Sequence, residues 1–324
     1  MKEQMTKKTL ALATLAASSA LLLPACGGSS SSSSSSDPTE PQYDTQGVFT
    51  TAAPASNTEE LKNTFAGLNE GFADDVSGFI DEVGAEFEDG ADCASGEMWS
   101  DGTVDEDGPV TTWRETIDFD TCVITTASWG KVTLNGRVEF FEKETDWSEP
   151  TGADETRQSF DIHGTINDGD DDVVLSGSTS WRFSWDDNTG TETVRLLSPR
   201  LEFVAGNEYF GMLDVELFWQ DKEVQQGGSY TYPFEERISG RIGSTAAGGY
   251  LELGTPTTVR GPDWGACPTE GVITIAGNAS VEARFGIDTG IGKAVTLEIN
   301  RNAVAEYDDC QVFYDEFDLF EDVL

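Results

Sequence analysis

Val173-Val-Leu-Ser-Gly-Ser-Thr-Ser-Trp-Arg-Phe-Ser-Trp185 is the stretch that decides the fold. Val173, Leu175, Gly177, Thr179, Trp181, Phe183 and Trp185 fall on one side of a two-residue repeat. Ser176, Ser178, Ser180, Arg182 and Ser184 fall on the other. Successive side chains of a β-strand point to opposite faces, so this is a strand with one apolar and one polar face. At about 3.3 Å per residue it would run roughly 40 Å.

The same alternation recurs at 132–140, 160–166, 215–219 and 295–299. Turn-forming clusters separate the runs, at 168–172, 186–190, 206–207, 226–229, 243–249 and 288–292. Strands joined by short turns make antiparallel hairpins, and a series of hairpins makes a meander. The expectation is a mainly β chain of roughly ten to thirteen strands, with no βαβ alternation. A five-residue pattern places glycine on the apolar face in mid-strand, at Gly136, Gly164, Gly177, Gly240 and Gly277. Glycine there lets a strand bend. A hairpin turning at Asp170-Asp171 would set Gly164 opposite Gly177, and a row of such glycines would fold the sheet into a strongly bent sheet or a barrel.

Before the strands, Leu61, Phe65, Leu68, Phe72, Val76, Phe79 and Val83 recur at steps of three and four. That predicts one long amphipathic helix over 57–90, capped by Asn57 or Thr58 with Glu60, and packed on the sheet. Gly71 and Gly78 are the places where it would bend or break. Residues 26–56 read as a tether: eight serines, Ser29–Ser36, then a polar stretch with Pro38, Pro41 and Pro54. Such composition buries nothing and stays flexible.

The first 25 residues read as an export signal. Lys2, Lys7 and Lys8 precede an uncharged run, Leu10–Leu23, which is too short to span a membrane. The following Leu23-Pro24-Ala25-Cys26 resembles the lipobox of bacterial lipoproteins. That resemblance implies cleavage before Cys26, a diacylglycerol on its sulfur and a further acyl chain such as palmitate on its amino group. It covers residues 1–26 only. Gly27 stands where Asp would favour retention at the inner membrane, so the outer membrane is expected, or the cell membrane if there is no outer one. The implied organisation is signal 1–25, tether 26–56, helix 57–90 and antiparallel β domain 91–324.

The chain of 324 residues carries 60 acidic and 19 basic residues, a net charge of −41. Such a surface repels phosphate backbones, which excludes nucleic acid as a partner. It equally repels anionic lipid, so membrane affinity falls to the attached lipid. Salt adaptation or cation binding would each account for the acidity.

Outside the cytoplasm the remaining four cysteines should form disulfides. Cys93 and Cys267 are each followed closely by Gly, and Cys122 and Cys310 each end an aromatic-Asp-x-Cys sequence. The match suggests an internal duplication and pairs Cys93 with Cys122 and Cys267 with Cys310. With one histidine and no C-x-x-C, neither zinc nor c-type haem is expected, and no cofactor is implied.

Few residues suggest chemistry. His163 lies on the polar side of its strand, and G-x-S-x-G does not occur. The acidic segments 101–107 and 167–172 are candidate calcium loops, but neither matches an EF-hand and both read better as acidic hairpin turns. Trp181, Phe183 and Trp185 are candidates for stacking on a sugar or lining an apolar cavity, although a core role explains them as well. The expected role is a membrane-anchored extracytoplasmic lipoprotein that binds or scaffolds without catalysis. The alternatives are a carrier of lipid or another amphiphile in a bent-sheet cavity, and a polysaccharide-binding module or polysaccharide-active enzyme. Cys26→Ser should abolish acylation and leave the protein unprocessed or soluble. A Cys26→Ser protein that still partitions into detergent and fractionates with membranes would refute the lipid anchor.

Overall fold

A computed structural model describes residues 49–88, 93–263 and 266–317. The expected export signal, Cys26 and the serine tract lie outside those residues. Three helical segments come first: α1 (Thr58–Glu70), a π-helical segment (Gly71–Ser77) and α2 (Gly78–Glu88). Fifteen strands follow: β1 (Ser95–Asp107), β2 (Val110–Thr125), β3 (Lys131–Thr145), β4 (Thr151–Ile166), β5 (Asp171–Asp186), β6 (Thr191–Ala205) and β7 (Glu208–Lys222); β8 (Val224–Gln226), β9 (Ser229–Thr231), β10 (Phe234–Ser244) and β11 (Gly249–Gly261); and β12 (Glu270–Ala276), β13 (Ser280–Gly286), β14 (Val295–Ile299) and β15 (Asn302–Tyr307). Helix α3 (Cys310–Phe317) closes the described chain. No helix among the described residues is long and apolar enough to cross a membrane.

Thirteen strands form one antiparallel sheet in chain order, β1 to β7 and then β10 to β15. The small β8–β9 hairpin stands apart from it. The sheet is open: β1 and β15 are its two edges. Turns alternate between two ends. Those at 126–130, 167–170, 206–207 and 245–248 mark the lower end, and those at 108–109, 146–150 and 187–190 the upper. Segment 101–107, read as a turn, belongs to β1, because the chain reverses only after Asp107, where Asp107 pairs with Val110.

The glycine row differs from expectation. Gly164 pairs with Val173, and Gly177 pairs with Phe160. The hairpin turns earlier than expected, because Asn167 and Asp168 adopt φ of 53° and 63° in a short 3-10 turn. Gly277 is not in mid-strand but in the β12–β13 turn. Three of the glycines do have a special conformation: φ is 110° at Gly136 and Gly177 and 114° at Gly240. Each flanks an interruption of register. An extra residue enters β2 between Phe119 and Cys122, β6 between Leu197 and Arg200, and β7 between Leu213 and Glu216. Such bulges bend a strand and raise its twist. At Gly177 a Cβ would stand 2.1 Å from the Arg200 carbonyl oxygen, so the close approach excludes any side chain.

One face, here called inner, holds the core: Val132, Leu134, Phe160, Leu175, Phe203, Phe210, Leu251, Val281 and Leu297 are all buried. The helical segments cross this face at the lower end. Asn57 caps α1 by accepting the Glu60 N–H at 3.0 Å. Phe72 packs on Phe210 and Phe79 on Phe203, at centroid distances of 5.5 and 5.3 Å. Gly67 lets α1 come down on the β10–β11 turn, where the Ser244 hydroxyl donates to the Gly67 carbonyl at 2.8 Å. Helix α3 covers the inner face farther along, Phe313 against Phe285 and Phe317 against Phe65.

Residues 52–55, assigned to the tether from their composition, are part of the fold. Ala53 and Ala55 are fully buried. The Ala53 N–H donates to the Tyr250 carbonyl at 2.9 Å, and the Ala55 N–H to the Asn278 side chain at 2.7 Å. Small alanine side chains fit under the β10–β11 and β12–β13 turns, a role that polarity alone does not reveal. Just before them, Phe49 packs against Tyr209 and Tyr250, which point to the outer face. The chain therefore passes over the lower rim from outer to inner face.

Two disulfides are present, Cys93–Cys122 and Cys267–Cys310, spanning 29 and 43 residues. In the chain-entropy picture each restricts the unfolded chain by about 3–4 kcal/mol. The pairs do not mark a duplication, since Cys122 sits within a strand at a bulge and Cys310 opens a helix.

Gly177→Val should cost about 2–4 kcal/mol in urea denaturation, from overpacking and from forcing a β-branched residue to positive φ. A variant as stable as the parent protein would contradict this geometry.

Candidate functional site

Long regular strands put every second residue on the same face. Following β4 upward from buried Phe160, the inner face shows Gln158, Thr156 and Asp154. On β3 it shows Phe140, Glu142 and Glu144, and on β2 Ile117, Glu115 and Trp113. On β5 it shows Thr179, Trp181, Phe183 and Trp185. Register aligns them in rows: Trp113 pairs with Glu142, Glu142 with Thr156, and Thr156 with Trp181. The helical contacts described above lie at the lower end or beneath α3. The upper half of the inner face on β2 to β5 is the part where polar and aromatic groups gather.

The aromatic residues form a continuous patch. Trp181 and Phe183 lie within 12° of parallel at 6.2 Å, and Phe183 and Trp185 within 25° at 5.8 Å. Trp147, from the β3–β4 turn, stacks on Trp185 at 4.5 Å and 2° and also meets Phe183 at 5.4 Å. The Trp185 indole N–H donates to the Glu149 carbonyl at 3.0 Å, fixing the turn that carries Trp147. Phe183 and Trp185 are therefore core residues, 8% and 6% exposed, covered by a Trp147 that is itself 63% exposed. Of the three sequence candidates only Trp181 is half-buried; the other two are buried.

The carboxylates of this face were not singled out by the sequence, where 60 acidic residues hide any one of them. Burial raises the pKa of Glu115. Burial, and then repulsion from Glu144 and Asp154, raises that of Glu142. Burial and then Asp154 do the same for Glu144. Burial also raises Asp154, against an opposing hydrogen bond from the Thr145 N–H. Farther along the same face, burial with repulsion from Glu192 and Glu223 pushes Asp221 up to about 7. Burial alone pushes Glu236 up to about 6.

The outer face is organised differently. Arg137 pairs with Asp118, Arg195 with Glu216, Arg241 with Glu252, and Arg260 with Glu235 and Glu270. Arg114 and Arg157 sit over the Phe141 ring at 5.4 and 4.8 Å, and Arg237 over Phe218 at 4.1 Å. Alternation puts each of these arginines opposite to the core. None of the described Lys or Arg residues forms an ion pair with Glu115, Glu142, Glu144, Asp154, Asp221 or Glu236. His163 is on the outer face, paired with Asn135 and Val174.

One group of potential metal ligands converges among the described residues: Cys267, Asp309 and Cys310. Its two sulfurs are bonded to each other and offer no thiolate, so it does not hold a metal. Comparison of the chain with known families, curated proteins and solved structures finds no match.

Asp221 gives a pH signature. Its folded pKa of about 7 exceeds the unfolded value, so the folded state holds the extra proton between about pH 4 and pH 7. Its contribution is present below that window and is lost as pH rises through it. Other carboxylates, Glu60 and Glu82 among them, shift downward and slope the opposite way. The difference between variant and parent isolates the one group. The melting temperature of Asp221→Asn minus that of the parent should rise steadily from about pH 4 to about pH 8. A constant difference would show that Asp221 ionises normally.

Proposed function

We propose that this chain is an extracytoplasmic lipoprotein, anchored through Cys26 in the outer membrane or, lacking one, the cell membrane. Its role is to bind a ligand without catalysis. The observation that carries the binding reading is the upper inner face, where half-buried Trp113 and Trp181 alternate with desolvated carboxylates that have no basic partner. A surface with no ligand to meet gains nothing from desolvated, mutually repelling charges. The two disulfides support the extracytoplasmic address, because they persist in oxidising compartments. The bulges beside Gly136, Gly177 and Gly240 support a sheet curved around this face.

The carrier reading has less support. An acyl chain would need apolar space, and Leu61, Phe65, Phe72 and Phe79 already fill the lower inner face with the protein's own side chains. A saccharide-binding role keeps one specific observation in its favour, the half-buried Trp181 ring in the row next to Asp154.

A thermal-shift panel separates these readings. The full-length chain in nonionic detergent is heated with spermine, with maltohexaose or with palmitate. One class should raise the melting temperature, since a ligand at about 100 times its Kd stabilises by about 2.7 kcal/mol. The shift should disappear in Trp113→Ala/Trp181→Ala and survive in the outer-face variant Phe141→Ala. Stabilisation by palmitate alone would replace this reading with the carrier. No shift from any class would overturn binding on this face.

A further inference from the structure

We propose that the upper inner face binds a linear aliphatic polyamine, its ammonium groups set against Glu115, Glu142, Glu144 and Asp154 and its methylenes against Trp113 and Trp181. The proposal rests on the binding reading above and names the ligand class.

Charge complementarity argues for a cation. The strand arginines that pair with carboxylates or sit over rings face outward, so the inner carboxylates meet no positive charge from β2 to β5. The fold keeps this separation over long strands whose register is unbroken from Val110 to Phe119 and from Thr151 to Ile166. A cationic ligand supplies the missing sign. It also favours the ionised form of groups that burial disfavours.

The arrangement argues for several charges on a chain rather than one ion. Glu142 and Glu144 are two residues apart on β3, roughly 6.6 Å along the strand. The β3–β4 pairing ends at Lys143 opposite Glu155, and Glu144 and Asp154, the next residue along each strand, lie close enough for Asp154 to repel Glu144. Glu115 is opposite Phe140, one inner-face step below Glu142. These carboxylates do not converge as metal ligands do. Spaced ammonium groups can meet them one at a time. The rings at either end of the Trp113–Glu142–Thr156–Trp181 row suit the rest of such a molecule. Indole faces attract ammonium groups and cover methylenes.

The backbone argues against a peptide. Strands β2 to β5 are interior, each hydrogen-bonded to a neighbour on both sides. No N–H or C=O is open there to pair with an added strand, so recognition must come from side chains alone.

Calorimetric titration of the full-length chain in nonionic detergent with spermine tests the proposal. Saturable binding is expected, weakening as salt screens the charges. Glu142→Gln/Glu144→Gln/Asp154→Asn, similar in shape but uncharged, should weaken it by about tenfold or more. The outer-face variant Glu139→Gln/Asp161→Asn, with charges removed from the same strands, should bind as the parent does. If the triple variant does not fold, Glu142→Gln alone should weaken binding about threefold. Equal loss in the inner and outer variants would mean diffuse attraction and overturn the site. So would undiminished binding by the folded triple variant. No spermine binding, alongside stabilisation by maltohexaose or palmitate, would overturn the polyamine and leave a binding face. No binding of any of the three would remove both.

Discussion

A side chain on a long strand cannot change faces unless the strand takes in an extra residue, and the rest of this structure depends on that constraint. Strand β5 has sixteen residues and no interruption against β4, so what is inner at Leu175 is still inner at Trp185. Where the sheet bulges, the inserted residue shifts the alternation. Leu201 and Phe203 are inner below the β6 bulge, and Leu196 and Val194 above it. Strand β7 takes its extra residue beside Asp214, level with the one in β6, so the β6–β7 pairing runs through unbroken. The glycines with φ near 110° lie next to these insertions, where a neighbouring carbonyl leaves no room for a Cβ.

That constraint turns a sheet into two surfaces with separate chemistry. The outer one is a lattice of cross-strand Arg–carboxylate and Arg–aromatic pairs, mostly exposed and each of small value. The inner one is apolar below, where the helical segments lie, and aromatic with carboxylates above. Trp147 completes it by folding onto Trp185 and Phe183 from a turn, shielding rings that the strand alone would leave uncovered.

Period two made the sheet legible: the strand through Val173–Trp185 and the antiparallel meander both follow from it. Register was less so. The expected Gly164–Gly177 pair depended on placing the turn at Asp170-Asp171, and two left-handed residues, Asn167 and Asp168, moved it. Bulges hide alternation as well, since in β7 the inner residues are even-numbered at Phe210 and Met212 and odd-numbered from Val215 on. Closure of the sheet is a property of its edges, which no strand pattern encodes. Of the site, Trp181 was visible from its place in the alternation. Glu115, Glu142, Glu144 and Asp154 were not, because their distinction comes from desolvation and from the absence of arginine on their face. Both arise only when the four strands β2 to β5 are side by side.

The passage of the N-terminal chain over the lower rim has a mechanical consequence. Any pull transmitted from the N-terminal side reaches Thr51 and Ala53 before it reaches α1. There it meets the Tyr250 N–H to Thr51 carbonyl bond, the Ala53 N–H to Tyr250 carbonyl bond and the Asn278 N–H to Ala53 carbonyl bond, each 2.9 Å. The contact is a parallel bridge, Ala52 beside Tyr250, so load along the chain slides the two segments past each other and strains these bonds together instead of peeling them singly. Among the described residues, Phe49, between Tyr209 and Tyr250, is the first packed side chain to take up tension. The rim thus acts as a strain relief, holding the helices and the sheet's upper half out of the line of force.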